Sequence, residues 1–179
     1  MNVMGELFVV ERGLYPSVTM VSPIRRELAN IYNGEPLHCL GGVINDLTAD
    51  NRGGVYFTHG GLYYSAPDGT ITRYGEGLTT NGIILSPDEQ VLYVTNQEYL
   101  EAFDVQPDGS LVNQRIHAEL PSGRGDGLAI DSMGRIYVSS FQNGVHVIAA
   151  DGLVMGTIST PRNVIAAAFG GPDKHTLYV

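Results

Sequence analysis

A short phrase returns along this 179-residue chain: a turn bearing Asp, Asn or Gly, then an aliphatic residue, an aromatic one and further strand formers. It reads Gly5-Glu6-Leu7-Phe8-Val9, then Gly53-Gly54-Val55-Tyr56-Phe57 and Gln90-Val91-Leu92-Tyr93-Val94. It returns as Arg135-Ile136-Tyr137-Val138 and His175-Thr176-Leu177-Tyr178-Val179. The aromatic anchors Phe8, Tyr56, Tyr93, Tyr137 and Tyr178 lie 48, 37, 44 and 41 residues apart. A period of this length built from short strands marks a propeller blade of four strands. A helical solenoid of similar period would carry apolar residues at 3.6-residue spacing, whereas here short runs are bounded by turn residues.

A second repeat follows the three central anchors by about a dozen residues: Asp68-Gly69, Asp108-Gly109 and Asp151-Gly152, each flanked by strand formers. Asp-Gly is a hairpin signal, because glycine accepts positive φ and aspartate bonds its own backbone. These pairs are expected to join the outer two strands of successive blades. The run from Ser22 to Tyr32 could be helical on its cap, its early proline and its apolar spacing, but the blade register favours an outer strand and a loop. The repeat runs from end to end without a linker. The expectation is therefore an all-β chain: a single partial β-propeller domain over residues 1–179, made of four-stranded antiparallel blades, with about four blades present.

The net charge of −9 argues against nucleic acid and anionic membrane surfaces as partners. Cys39 is the lone cysteine, so no internal disulfide scaffold forms. No basic leader followed by an apolar run opens the chain, and no apolar run approaches the roughly 20 residues of a membrane span. These features favour a cytoplasmic location. No Gly-x-Ser-x-Gly elbow, P-loop or dinucleotide fingerprint occurs. Arg124-Gly125-Asp126 spells an adhesion tripeptide, but the repeat already accounts for Asp126.

The residues that could carry chemistry lie one strand before each anchor. Asn45 precedes Tyr56 by 11 residues, Asn81 precedes Tyr93 by 12 and Asp126 precedes Tyr137 by 11. Each opens a short apolar strand, which in a propeller is the innermost one and lines the central channel. Equivalent positions on adjacent blades would converge there. Two carboxamides and a carboxylate are hard oxygen donors, suited to calcium or magnesium rather than to a soft metal. A cation held by them could polarise a carbonyl and acidify water. Asn-Asp, Asn-Gly and Asp-Gly are also common turn dipeptides, so a plain turn is the other reading of each position. The matched offsets favour a shared site.

At these residues the sequence resembles the senescence marker protein / gluconolactonase / luciferin-regenerating enzyme-like family. The resemblance runs through Asn45-Asp46-Leu47, Thr80-Asn81-Gly82-Ile83, Gly125-Asp126-Gly127-Leu128 and Phe169-Gly170-Gly171-Pro172-Asp173. It implies a six-bladed propeller, one functional divalent metal at the channel mouth, and hydrolysis of a small-molecule lactone. Carried over, Asn81 and Asp126 are metal ligands, Asn45 is a substrate-binding residue, and Asp126 is also the catalytic base. Calcium is the expected cation, with magnesium, zinc or manganese as substitutes. The family's glutamate ligand sits on a strand upstream of Gly5, and Glu11 belongs to a later strand. Val43-Ile44 replace the polar or Pro-containing residues usual before the Asn-Asp motif. These departures keep a second reading open: a non-catalytic propeller acting as a binding module. Unpaired strand edges at the ends of a partial ring would also favour self-association.

Overall fold

The computed structural model describes residues 1–141 and 144–179. They form antiparallel sheets in two compact units: residues 1–80 with 107–110, and residues 81–106 with 111–179. Among the described residues no helix is long and apolar enough to cross a membrane.

The first unit opens with a three-stranded sheet, β1 (Leu7–Glu11), β2 (Ser17–Ser22) and β3 (Arg26–Ala29). A small hairpin follows, β4 (Ile31–Tyr32) with β5 (Glu35–Pro36), then a 3-10 turn at Leu37–Cys39. The stretch from Ser22 to Tyr32 is thus strand and loop rather than helix. Next comes a four-stranded meander: β6 (Ile44–Ala49), β7 (Val55–His59), β8 (Leu62–Ser65) and β9 (Ile71–Tyr74). The core lies between these two sheets. Phe8, Val18, Met20 and Leu28 from the first meet Ile44, Val55, Phe57 and Tyr63 from the second. All five residues of β7 are buried, so it reads as a continuous run rather than an alternating one. Phe57 stacks on Tyr63 with ring centroids 5.3 Å apart.

The second unit holds two more four-stranded meanders. One is β10 (Thr80–Leu85), β11 (Val91–Asn96), β12 (Tyr99–Val105) and β13 (Leu111–Glu119). The other is β14 (Gly125–Ile130), β15 (Ile136–Ser140), β16 (Gly144–Ile148) and β17 (Val154–Ile158), followed by the pair β18 (Ala168–Gly170) and β19 (Thr176–Tyr178). Tyr93, Leu100, Ala102 and Ala118 of one sheet pack on Leu128, Ile136, Val138 and Ile148 of the next.

The turns explain the sequence repeat. Asp68-Gly69 joins β8 to β9, Asp108-Gly109 joins β12 to β13, and Asp151-Gly152 joins β16 to β17. The three glycines have φ of 88°, 86° and 90°, a region that L side chains rarely adopt. In each turn the aspartate Oδ1 accepts the backbone N–H two residues on. Tyr56, Tyr93 and Tyr137 fall on the second strand of a four-stranded sheet and Tyr178 on β19, whereas Phe8 falls on β1, the first strand of its three-stranded sheet. At the turn between β6 and β7, Asp50 is fully buried. Its carboxylate accepts the N–H groups of Arg52 and Gly54 at 2.9 and 2.8 Å and the Tyr64 hydroxyl at 2.9 Å, and pairs with Arg52. Asp131 repeats the device with Met133, Arg135 and the anchor Tyr137. A buried carboxylate is tolerated only when it is paired and bonded in this way.

Candidate active site

Asn45, Asn81 and Asp126 each stand second on the first strand of a four-stranded sheet: β6, β10 and β14. All three are half-buried. The strand register explains why this position is special. On β6, Ile44 faces His59 and Leu47 faces Phe57, so Asn45-Asp46 occupy a bulge. On β14, Gly125 faces Ser140 and Leu128 faces Val138, so Asp126-Gly127 occupy the same bulge. An extra residue in one strand bends it and re-aims the side chain it carries.

A hydroxyl on the neighbouring strand bonds the residue that follows Asn45 and Asn81. Thr58 Oγ1 accepts the Asp46 N–H at 3.1 Å, and Thr95 Oγ1 accepts the Gly82 N–H at 2.7 Å. Thr95 then donates toward the carbonyl oxygen of Asp126, 3.3 Å away. A Cβ built on Gly82 would overlap that same carbonyl and come within 2.9 Å of the Gly127 Cα. Only glycine lets β10 approach β14 so closely. Within the second unit, Asn81 and Asp126 are therefore brought onto touching strands by Gly82 and Thr95.

The next repeat departs from this pattern. Ser139 replaces the threonine, and its buried Oγ has no hydrogen-bond partner. The Gly127 N–H donates instead to the carbonyl of Ile165 at 3.0 Å. A Cβ on Gly127 would meet that carbonyl and the Ala166 Cα. Ile165 thus stands to Gly127 as Asp126 stands to Gly82. The series of polar residues ends there, with an exposed isoleucine. The sequence reading did not reach this position, because the spacing to its anchor Tyr178 is longer than in the other repeats.

The loop leading to Asp126 is fixed from below. His146 is fully buried on β16. Its Nε2 lies 2.9 Å from the Ser122 carbonyl, so Nε2 carries a proton and donates, and Nδ1 lies 2.8 Å from Thr157 Oγ1. Gly125 N–H donates to the Gln97 carbonyl at 2.9 Å, which ties the start of β14 to the end of β11. Histidine spacing alone gave no sign of this supporting role.

Asn45 is held in another way. Arg12 Nε donates to the Ile44 carbonyl at 2.8 Å and Nη2 to the Asn45 carbonyl at 3.0 Å. Nη2 also donates to Asn45 Oδ1. Glu11 beside it is engaged elsewhere: its carboxylate accepts from Thr19, Ser17 and Arg25. Those hydrogen bonds, Thr19 first and then Arg25, hold its pKa below the usual carboxylate range.

Among the described residues no three His, Cys, Asp or Glu side chains gather as a metal cluster. Asn81 and Asp126 bring a neutral and an anionic oxygen donor to neighbouring strands. Their chemistry fits calcium or magnesium.

The chain matches the family described as the SMP-30/Gluconolactonase/LRE-like region over residues 7–179. A pentonolactonase of Haloferax volcanii is 33% identical over 150 residues, covering 75% of this chain and 52% of that protein. A gluconolactonase of Zymomonas mobilis is 25% identical over 210 residues, covering 98% of this chain and 57% of that protein. This chain therefore spans about half the length of these relatives. Among solved structures, a gluconolactonase of Xanthomonas campestris superposes with a TM-score of 0.80 at 28% identity, covering 94% of this chain and 63% of that one. The calcium-binding regucalcin of Agrobacterium tumefaciens shares the fold, with a TM-score of 0.76 at 17% identity over 94% of this chain and 62% of that one. With three four-stranded blades among its described residues, a matched bulge in the first strands β6 and β14, and a family match over nearly its whole length, this chain belongs to the SMP-30/gluconolactonase/LRE-like family of β-propellers.

Proposed function

We propose that this chain, read as one partial propeller domain over residues 1–179, carries the site of a divalent-cation-dependent lactonase. The observation that carries the reading is the placement of Asn81 and Asp126 on touching inner strands, tied by Thr95 and made possible by Gly82. Relatives named as pentonolactonase, gluconolactonase and lactonase support the choice of reaction.

In this reading the Asn81 carboxamide oxygen and the Asp126 carboxylate would hold a cation, calcium first among the candidates. When bound, the cation supplies Lewis acidity toward a carbonyl oxygen and toward water. Asp126 also orients the attacking water and takes its proton. The water oxygen bonds to the lactone carbonyl carbon, the ring C–O bond breaks, and the proton passes to the departing ring oxygen. The product is an open hydroxy acid. The fixed loop beneath Asp126 keeps the base in place, which limits the reorganisation needed during reaction.

The test is turnover of an aldonolactone and an aromatic lactone by the full chain, with calcium and with chelator. Wild type should be active with calcium and inactive with chelator, and Asp126→Asn should lose about 100-fold or more in kcat, the range of general-base catalysis. Chelator-insensitive turnover, or an unaffected Asp126→Asn protein, would remove this reading. No turnover together with no cation binding at millimolar concentration would favour the binding-module alternative.

A further inference from the structure

We propose that Glu101 is a positioning residue: its buried carboxylate locks the turn between β11 and β12, and that turn seats the stretch of chain that delivers Asp126. The inference rests on the reading of Asp126 as a cation ligand and adds the residue that holds it in place. Every residue it uses lies in the second unit.

Glu101 lies on β12 and is buried. Among the described residues it forms no ion pair. Its two oxygens are divided between the neighbouring strands. Oε1 accepts from Nδ2 of Asn96, the last residue of β11, at 2.6 Å, and Oε2 accepts from Nε2 of Gln114 on β13 at 2.7 Å. Burying a carboxylate costs free energy unless it is paired and hydrogen-bonded. Here two carboxamides supply the hydrogen bonds and no cation balances the charge, so stability alone is a weak reason for an acid at this position.

The turn beside it carries strain. Asn96 pairs with Tyr99, so Gln97 and Glu98 are its two central residues. Gln97 takes a φ of 56°, a left-handed conformation that a residue other than glycine holds at a cost and keeps only where its surroundings enforce it. In this conformation the Gln97 carbonyl accepts the Gly125 N–H at 2.9 Å, and the Glu98 carbonyl accepts the Leu120 N–H at 2.8 Å. Both feet of the loop from Leu120 to Gly125 thus stand on the turn, and Asp126 follows directly. Thr95, one residue before Asn96, donates toward the Asp126 carbonyl. Residues 95, 97 and 98 therefore hold the lead-in to β14 at three points, and Asn96 in their midst is the one tied to Glu101. A carboxylate acceptor makes that tie a charge-assisted bond, the stronger class of hydrogen bond. Glu101 acts on Asp126 through this turn.

The test uses the full chain and three readouts: amide hydrogen exchange by NMR without calcium, calcium titration by calorimetry, and urea unfolding. Glu101→Gln keeps the shape but offers an oxygen to only one of the two carboxamides. The Leu120 and Gly125 amides should then exchange about tenfold faster, beyond any change in global stability. Calcium affinity should fall about tenfold, the scale of effect seen when a group that orients a metal ligand is lost. Gln114→Ala keeps the bond between Asn96 and Glu101 and should leave both amides protected. Ile136→Val, a change in the core on β15, should lower global stability without singling out these two amides. Should Glu101→Gln fail to fold, Asn96→Ala, which frees the turn while Gln114 still bonds the carboxylate, must show the same two effects. Exchange at Leu120 and Gly125 that merely follows global unfolding, or faster exchange with unchanged calcium affinity, overturns the proposal. Faster exchange in Glu101→Gln beside a wild type that binds no calcium would remove the cation reading and leave the seating of the loop standing. Calcium binding by wild type with undisturbed exchange in the variant would do the reverse.

Discussion

Thr58, Thr95 and Ser139 stand at matched positions, each two residues beyond a tyrosine anchor, yet their hydroxyls have different duties. Thr58 and Thr95 each accept a first-strand N–H, while the Ser139 Oγ has no partner. Removing Thr95 would leave the buried Gly82 N–H unsatisfied and release the Asp126 carbonyl. Thr95→Val is therefore expected to cost about 1–3 kcal/mol, the desolvation penalty of an orphaned buried donor. Ser139→Ala deletes only an unpaired hydroxyl and should stay within about 0.5 kcal/mol of wild type or gain stability. Urea unfolding of the two variants measures the contrast, and equal losses would refute it. The placement of Asn45, Asn81 and Asp126 at the head of a first strand was legible because each precedes an aromatic anchor by 11 or 12 residues. Arg12 was not, since it meets Asn45 across 33 positions of chain and no local spacing rule connects them. His146 escaped for the same reason: its partner Ser122 lies 24 residues away.

Among the elements, the inner strands are the ones under constraint. Gly82 has no room for a side chain, because the backbone of Asp126 and Gly127 fills the space. Gly82→Ala must push β10 and β14 apart. It should destabilise by about 1–3 kcal/mol through overpacking and, unlike a core cavity of equal cost, should also weaken cation binding by displacing Asp126. Differential scanning together with calorimetric titration separates the two effects. The strands and hairpin turns themselves were readable from the sequence, since Asp-Gly and strand periodicity are local signals. The bulges were not readable, because a bulge is a property of the register between two strands. His59 shows another consequence of an element's position. It lies at the end of β7, buried, with Nδ1 unpartnered, and burial lowers its pKa below 6.5. Burial lowers His117 as well. A histidine depressed in the folded state takes its proton more readily when unfolded. Stability is therefore full above about pH 6.5 and falls as pH drops through the window below it. Tm measured from pH 7.5 to 5 should decline, and His59→Phe should flatten part of that decline. An identical pH slope in the variant would contradict the assignment.

At the scale of the whole molecule, the repeat period alone indicated blades, and the sheets bear this out with three complete four-stranded meanders. Among the described residues β1 pairs only with β2, and β19 only with β18. Each is a sheet edge, the feature that promotes pairing with another chain. Light scattering of this chain should show an apparent mass that rises with concentration. A constant monomer mass up to about 100 μM, in the range where partly unpaired edges associate, would remove that expectation. The central claim, however, is that Asn81 and Asp126 form a cation site. A crystal structure of the chain grown with calcium tests it most directly. The prediction is a single calcium with the Asn81 carboxamide oxygen and an Asp126 carboxylate oxygen at about 2.3–2.6 Å. Calcium bound elsewhere, or these two side chains turned away from a common point, would contradict it.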